Sequence, residues 1–206
     1  MKTTIWVIVI VVLVFSTSYF YCKNNILKHE ITIKNDYLST TVVELNSIEY
    51  NYEQNIQNVN LIINKSIATT DTSGTIVPLS VIAHKSDDNF LICRYSERMC
   101  RECVEHAISV IINNSNYFDF NKIIFIANNS SRRVFKLNIS EFGLQNCQVL
   151  NCANLGIQAE KEMFPYFLFV DREFRVLNVY YPNKSTHGSD FDFKHVKMLY
   201  DKFIKE

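Results

Sequence analysis

The sequence predicts an α/β domain in which a mixed sheet is flanked by helices. Residues 89–95 and 121–127 are short apolar runs bounded by polar turns, as is typical of buried strands. Between them, apolar residues recur at helical spacing from about Met99 to Ile112. A strand, a helix and a second strand in this order predict a sheet with helices packed on its faces.

The rest of the chain continues this alternation. Residues 130–143 are predicted to be helical and residues 148–151 to form a strand. Residues 163–170 and 175–181 then form a predicted hairpin, with Pro165 near the head of its first strand, where a missing N–H is tolerated. A last helix, capped by Asp190, would bury the apolar face formed by Val196, Leu199, Tyr200 and Phe203.

A further β-hairpin is predicted before the alternation begins. Residues 61–63, 67–68 and 75–79 are rich in strand formers, and Asp71-Thr72-Ser73-Gly74 separates them as a turn. Gly74 supplies the positive φ of a tight turn, and Pro78 favours a strand at the sheet edge.

Composition excludes several classes of protein. The chain has 206 residues, a formal net charge of zero and a pI near 6.9, so no global charge indicates a nucleic acid partner. Its six cysteines are too widely spaced for a small disulfide scaffold. They indicate a redox or metal motif together with scattered thiols.

Residues 1–21 are predicted to be a membrane segment, because residues 5–15 are uninterrupted apolar sequence. The segment is interpreted either as an uncleaved anchor or as a signal peptide cleaved after Ser18. Both interpretations place the following domain outside the cytoplasm. An anchor would hold it on the periplasmic face of a bacterial inner membrane, and a cleaved signal peptide would leave it secreted. Residues 22–60 are a polar juxtamembrane spacer, either a helix or coil, that is loosely packed or a dimerising coiled coil, and residues 61–206 form the domain.

The chemistry is expected to be that of a dithiol, Cys100 and Cys103. The predicted helix begins near Met99, so Cys100 lies in the first turn, where unpaired N–H groups and the helix dipole favour a thiolate. Cys103 lies one turn further on, on the side of the core residues Ala107 and Val110. One thiol can attack a disulfide and the other can resolve the mixed disulfide.

The order of elements around the dithiol resembles the thioredoxin fold. The leading hairpin makes the chain more narrowly similar to the membrane-anchored thiol-disulfide oxidoreductases of the TlpA and ResA type, relatives of the peroxiredoxins. The resemblance covers residues 61–206 and implies a cis-proline, Pro165, that faces the dithiol. It also implies that Phe164, Pro165 and Met99 contact a protein or small-molecule disulfide substrate, with no cofactor.

Two positions depart from the family pattern. Met99 replaces the aromatic residue that usually precedes the first cysteine, and no acidic residue lies in the strand 89–95. Glu97 and Glu102 are the nearby carboxylates that could move a proton. A non-catalytic binding or redox-sensing module on the same fold therefore stays open as an alternative.

A metal site and a second disulfide are the remaining alternatives. Cys93, Cys100, Cys103 and His106 offer soft ligands, although His106 is more simply a partly exposed histidine on the helix. Cys147 and Cys152 would face opposite sides of one strand, so they are interpreted as buried thiols unless a turn lets them pair.

Overall fold

The structure is a computed structural model that describes the backbone of residues 2–83, 88–183 and 189–205 and the side chains of residues 13–81, 88–183 and 190–205. Its strands are β1 (Ala68–Thr70), β2 (Ile76–Pro78), β3 (Phe90–Ser96), β4 (Ile123–Asn128), β5 (Gln148–Asn151), β6 (Tyr166–Val170) and β7 (Val176–Tyr180). Its α-helices are α1 (Lys2–Asn58), α2 (Leu79–Ala83), α3 (Arg101–Ile112), α4 (Arg132–Glu141) and α5 (Ser189–Tyr200), the last continued by a π-helical turn, Asp201–Lys205. Short 3-10 helices lie at Phe120–Lys122 and Gln158–Lys161.

The described strands form one seven-stranded mixed sheet in the order β2-β1-β5-β4-β3-β6-β7. β3 pairs in parallel with β4 and β4 with β5, while β6 runs antiparallel to both β3 and β7. The predicted mixed sheet flanked by helices is confirmed. β3, β4 and β6 are almost wholly buried because they lie in the middle of the sheet with packing on both faces.

The two faces of the sheet carry separate apolar cores. Alternate residues of β3 point to opposite faces, so Leu91 and Cys93 join one core while Phe90 and Ile92 join the other. α3, α4 and α5 pack on the first face. The second face is covered by connecting segments, by Leu79 and by Tyr50 near the end of α1.

The leading hairpin is also confirmed. β1 and β2 pair in antiparallel register, Thr69 opposite Val77, around a turn in which Gly74 has a φ of 93°. β2 is the edge strand of the sheet, as Pro78 predicts, because a proline cannot donate to a further strand.

α1 runs continuously from Lys2 to Asn58, so the predicted spacer is helical. The chain divides into two compact units, Met1–Leu45 and Asn46–Glu206. The first unit is helical from Lys2 onward. Where side chains are described, no helix is long and apolar enough to cross a membrane. Residues 1–12, which carry most of the predicted membrane segment, lie outside the described side chains.

The second unit includes the end of α1 as well as the predicted domain 61–206. Two buried asparagines explain why it begins before Leu61. Asn51 accepts a hydrogen bond from the Tyr181 amide (2.6 Å) and donates one to the Tyr181 carbonyl (3.1 Å), and Asn58 accepts one from the Ala159 amide (2.9 Å). These bonds satisfy the backbone groups of Tyr181, directly after β7, and of Ala159, within Gln158–Lys161. They make residues 46–58 part of the domain.

Candidate functional site

Cys100 is held at the start of α3 by a tight turn after β3. The Met99 amide donates to the Ser96 carbonyl (3.1 Å), and the Arg98 amide donates to Ser96 Oγ (3.1 Å). The Glu97 amide donates to the Asn128 carbonyl at the end of β4 (3.2 Å). The turn is therefore fixed to the carboxyl ends of both central parallel strands, the edge at which open α/β sheets place their sites.

The two cysteines lie in different surroundings. Cys100 is the N-cap of α3, with φ −55° and ψ 121°, and is exposed, while Cys103 is half-buried one turn further on. The Cys100 carbonyl accepts the first helical hydrogen bond, from the Val104 amide (3.0 Å). A sulfur at this position meets the positive end of the helix dipole, which stabilises a thiolate.

Arg101, between the cysteines, is engaged by two carboxylates. Its guanidinium donates to Glu105 (2.9 Å) and to Glu141 of α4 (3.0 Å). These ion pairs offset much of the positive charge that the Arg101 guanidinium brings next to Cys100. The helix terminus is a feature that favours a thiolate there independently of Arg101.

Glu97 is poorly suited to accept a proton from the dithiol. Its carboxylate accepts hydrogen bonds from the Ser130 amide (3.0 Å) and hydroxyl (3.2 Å). The amide bond first, and then the hydroxyl bond, lower the pKa of Glu97 below its ordinary value. Glu97 therefore ties the turn before Cys100 to the turn before α4.

A cavity of about 370 Å³ borders Cys103. Its walls come from the end of α1, from α3, from the residue before Pro165 and from the segment after β7. The lining residues are Asn46, Ser47, Tyr50, Cys103, Phe164, Tyr181, Pro182 and Asn183. The structure therefore brings two of the predicted site residues, Cys103 and Phe164, to one cavity.

Phe164 and Pro165 lie at the end of the sheet from which the dithiol turn departs. The last pair between β3 and β6 is Arg94 and Tyr166. Phe164 and Pro165 precede Tyr166, so they lie beyond this pair, on the side where β3 leads into the dithiol turn. Phe164 is half-exposed and Pro165 is buried. The described chain contains no cis peptide bond, so the cis-proline that the resemblance implies at Pro165 is wrong for this structure.

Met99, a predicted substrate contact, is not among the residues that line this cavity. Its side chain is partly buried against the core on the α3 face. It also lines a smaller cavity of about 150 Å³, together with Tyr95, Val104 and Phe142. The structure does not bring Met99 into the cavity that Cys103 and Phe164 share.

A buried ion pair beneath the site was not predicted from the sequence. Arg94, 1% exposed, donates to Glu160 through Nε (2.8 Å) and Nη2 (2.9 Å). Its other three N–H groups reach the carbonyls of Ala127, Cys152 and Ala153 at 2.8–3.1 Å. Burial opposes the charge, but Glu160 raises the pKa of Arg94 further above its ordinary value. An arginine in an otherwise apolar strand was the only signal of this network.

A second buried cluster links α3 to α5. His106 Nε2 lies 2.6 Å from Oδ2 of the fully buried Asp192. Tyr180 donates to Asp192 Oδ1 (2.5 Å), and the Asn183 amide also donates to this carboxylate. The predicted helix-face histidine is thus a mostly buried partner of Asp192.

The structure does not bring Cys93, Cys100, Cys103 and His106 together as the ligands of one metal site. In the described part of the chain, no three His, Cys, Asp or Glu side chains are close enough to hold a metal ion. Cys93 is fully buried in β3, and burial raises the pKa of its thiol. His106 is engaged by Asp192 on α5.

Cys147 and Cys152 belong to opposite faces of the sheet. Cys147 packs against the core on the α3 face, whereas Cys152 is buried in the core on the other face. Neither forms a disulfide, and burial raises the pKa of both thiols. Both are therefore free thiols in the structure, but only Cys152 is buried as predicted, whereas Cys147 is half-buried.

Comparisons with known proteins give similarity only at the level of the fold. No family model matches the chain, and no curated protein matches it. Among solved structures, a proposed protein disulfide isomerase from Bacteroides thetaiotaomicron is 14% identical with a TM-score of 0.50, over 72% of this chain and 95% of that one. Peroxidoxin BcpB from Mycobacterium tuberculosis is 14% identical with a TM-score of 0.49, over 69% and 97%. The thioredoxin domain of a thiol-disulfide oxidoreductase from Bacteroides vulgatus is 13% identical with a TM-score of 0.48, over 68% and 96%.

The likeness to the Bacteroides thetaiotaomicron protein, at 14% identity, is a likeness of the fold alone. The domain of this chain has the thioredoxin-like fold.

Proposed function

We propose that the chain is a thiol-disulfide oxidoreductase in which Cys100 and Cys103 form the redox-active pair. The observation that carries the proposal is the placement of Cys100, exposed at the N-cap of α3, with Cys103 one turn behind it at the cavity that Phe164 also lines. This arrangement offers one accessible nucleophile and one nearby resolving thiol.

The reaction proceeds in two exchange steps. The Cys100 thiolate attacks one sulfur of a substrate disulfide, a Cys100–substrate disulfide forms, and the other substrate sulfur leaves as a thiolate that takes a proton from solvent. Deprotonated Cys103 then attacks Cys100 Sγ, which releases the second substrate thiol. Two electrons pass from the dithiol to the substrate, and the Cys100–Cys103 disulfide must be reduced by an external dithiol before the next cycle. Run backwards, the same steps oxidise a substrate dithiol.

The proposal extends to where the domain works. The apolar run at residues 5–15 supports attachment to, or export across, a membrane, with the domain outside the cytoplasm. A disulfide exchange enzyme has stable disulfide substrates mainly in such a compartment. Fractionation of cells that produce the full chain tests this part separately from the chemistry, and recovery of the protein in the cytosol would contradict it.

The chemical proposal is tested with the reduced full chain and an aromatic disulfide whose cleavage releases a coloured thiolate. In a Cys22→Ser background, which removes the other exposed thiol, we expect Cys100→Ser to abolish the release and Cys103→Ser to trap a stable mixed disulfide at Cys100, visible by mass spectrometry. Cys147→Ser, which changes a thiol on another element, is the matched control and should retain the activity. If Cys100→Ser reacts as fast as the unaltered protein, the chain is instead a binding module on the same fold.

A further inference from the structure

The cavity beside Cys103 has a wall that the sequence did not assign to the site. Asn46, Ser47 and Tyr50 belong to α1, far in sequence from the dithiol, and they line the cavity together with Phe164 and Tyr181. The predicted spacer therefore contributes directly to the surroundings of a redox cysteine.

The wall is held in place by buried contacts. Asn51, the residue after Tyr50, makes two hydrogen bonds with the Tyr181 backbone, at 2.6 and 3.1 Å. The Tyr50 and Tyr181 rings pack edge to face with centroids 5.4 Å apart, and the Tyr50 hydroxyl donates to Glu162 (3.1 Å). A wall fixed in this way loses little conformational freedom when a ligand binds, which favours selective binding.

The lining of the cavity is uncharged. Aromatic rings and a proline make up half of it, and the polar remainder consists of amides, a hydroxyl and the Cys103 thiol. A charged group that entered would lose water without meeting an opposite charge among the lining residues, since the nearby Glu162 carboxylate does not line the cavity and is hydrogen-bonded to Tyr50. An aromatic or aliphatic group, in contrast, would gain from burial. The volume of about 370 Å³ exceeds the roughly 150 Å³ of an apolar cavity that holds benzene, so one large side chain fits.

The position of the cavity indicates which part of a substrate reaches it. Cys100 is the N-cap of α3 and Cys103 its third residue, two positions whose side chains lie close enough to interact in a capping box. Adjacent residues of a polypeptide have Cα atoms about 3.8 Å apart. A substrate cysteine bonded to Cys100 therefore has its neighbouring residue within reach of the cavity that borders Cys103.

We propose that the cavity is a specificity pocket for polypeptide disulfides whose cysteine is flanked by an aromatic or large aliphatic residue, and that Asn46, Ser47 and Tyr50 of α1 select it. This inference rests on the proposed exchange reaction at Cys100. It goes beyond that reaction because it names the substrate class and assigns α1 to the substrate site.

The test uses three peptides, Ac-Ala-X-Cys-X-Ala-amide with X as Phe, Lys or Glu, each carrying 2-nitro-5-thiobenzoate on its cysteine through a disulfide. Reduced full-length protein carrying Cys22→Ser, which removes the other exposed thiol, releases the coloured thiol, and the second-order rate constants are compared. We expect the Phe peptide to react at least tenfold faster than both charged peptides. Equal rates for the three peptides would overturn the pocket but leave the exchange reaction standing, and no release from any peptide would overturn both.

A second test places a charge on the α1 wall of the cavity by substitution of Asn46. Asn46 is exposed and lines the cavity, so its replacement is compatible with the fold. Asn46→Lys should raise the rate of the Glu peptide relative to the Phe peptide about tenfold, and Asn46→Asp should do the same for the Lys peptide. Gln57→Lys adds a charge at an exposed position of α1 outside the cavity and should leave every ratio unchanged. Equal effects of Asn46→Lys and Gln57→Lys would overturn the assignment, since only a general charge effect would remain.

Discussion

Arg94 and Glu160 form a bidentate ion pair beneath the carboxyl end of β3, with N–O distances of 2.8 and 2.9 Å. Tyr166 of β6 donates to the same carboxylate (2.8 Å). All five guanidinium N–H groups of Arg94 are bonded, so the charge is fully compensated although it is buried. The pair joins β3, β6 and the Gln158–Lys161 segment behind the proposed redox site.

The first prediction is that Glu160→Gln strongly destabilises the domain. Removing one partner of a buried pair leaves the other charge uncompensated, which costs about 3–5 kcal/mol. Urea unfolding followed by circular dichroism measures the change. Glu173→Gln is the matched control, because its partner Lys65 is 39% exposed and such surface pairs contribute about 1 kcal/mol or less. Equal losses in both variants would contradict the role given to Glu160.

The second prediction concerns the attachment of α1 to the domain. Asn58 is fully buried, accepts from the Ala159 amide (2.9 Å) and donates to the Gln54 carbonyl (2.7 Å). Asn58→Ala leaves the Ala159 N–H without its acceptor, so we expect a loss of about 1–3 kcal/mol in the free energy of unfolding. Gln57→Ala, one residue earlier and exposed, should change it by less than about 0.5 kcal/mol. A loss in Gln57→Ala as large as that in Asn58→Ala would show that α1 does not depend on this bond.

The strands and the helix at the dithiol were predictable because each is encoded locally. Residues 89–95 and 148–151 carry their own apolar runs, and the residues after Cys100 carry a helical stripe that ends at Asn113. Asp71 to Gly74 similarly defines its turn through local hydrogen bonds, such as that from the Thr75 amide to the Asp71 carboxylate.

The wall of the pocket and the buried polar clusters were not predictable, because they depend on pairs far apart in the chain. Asn51 meets Tyr181, Arg94 meets Glu160, and His106 meets Asp192 only after the sheet has formed. A single asparagine or histidine in a polar helix carries no pattern that names its partner. The apolar stripe of α1 is weak and predicts only a spacer, because the helix is attached to the domain mainly by the polar residues Asn51 and Asn58.

The third prediction concerns the titration of Glu97. The Ser130 amide and hydroxyl hold its pKa below the ordinary glutamate value of about 4.3. In a carbon-detected NMR titration, we expect Glu97 to titrate below the ordinary glutamate value, and Ser130→Ala to return its pKa only part of the way because the amide bond remains. A group with a depressed folded-state pKa stabilises the protein above its unfolded-state pKa, and the contribution is lost as the pH falls through the folded-state pKa. The stability difference between the unaltered protein and Glu97→Gln should therefore shrink on acidification from about pH 5 to about pH 3. An ordinary pKa for Glu97 would contradict the bonds to Ser130.

The fourth prediction is an order of thiol reactivity across the chain. Burial raises the pKa of Cys93, Cys147 and Cys152, so each holds less thiolate at neutral pH and reacts more slowly, about tenfold for each unit of pKa. Cys100 is exposed at a helix N-terminus, whereas Cys22 is exposed in the middle of α1, where no helix end favours a thiolate.

This order can be measured by iodoacetamide labelling of Cys103→Ser at neutral pH, with mass spectrometry of each cysteine-containing peptide over time. Cys103→Ser is used so that Cys100 cannot be consumed by an internal disulfide. We expect Cys100 to be modified first, Cys22 next and Cys93 last, and we expect the differences to vanish in urea, where all the sites are exposed. Modification of Cys100 no faster than Cys22 would mean that the start of α3 does not activate the sulfur, and the case for Cys100 as the attacking thiol would fail with it.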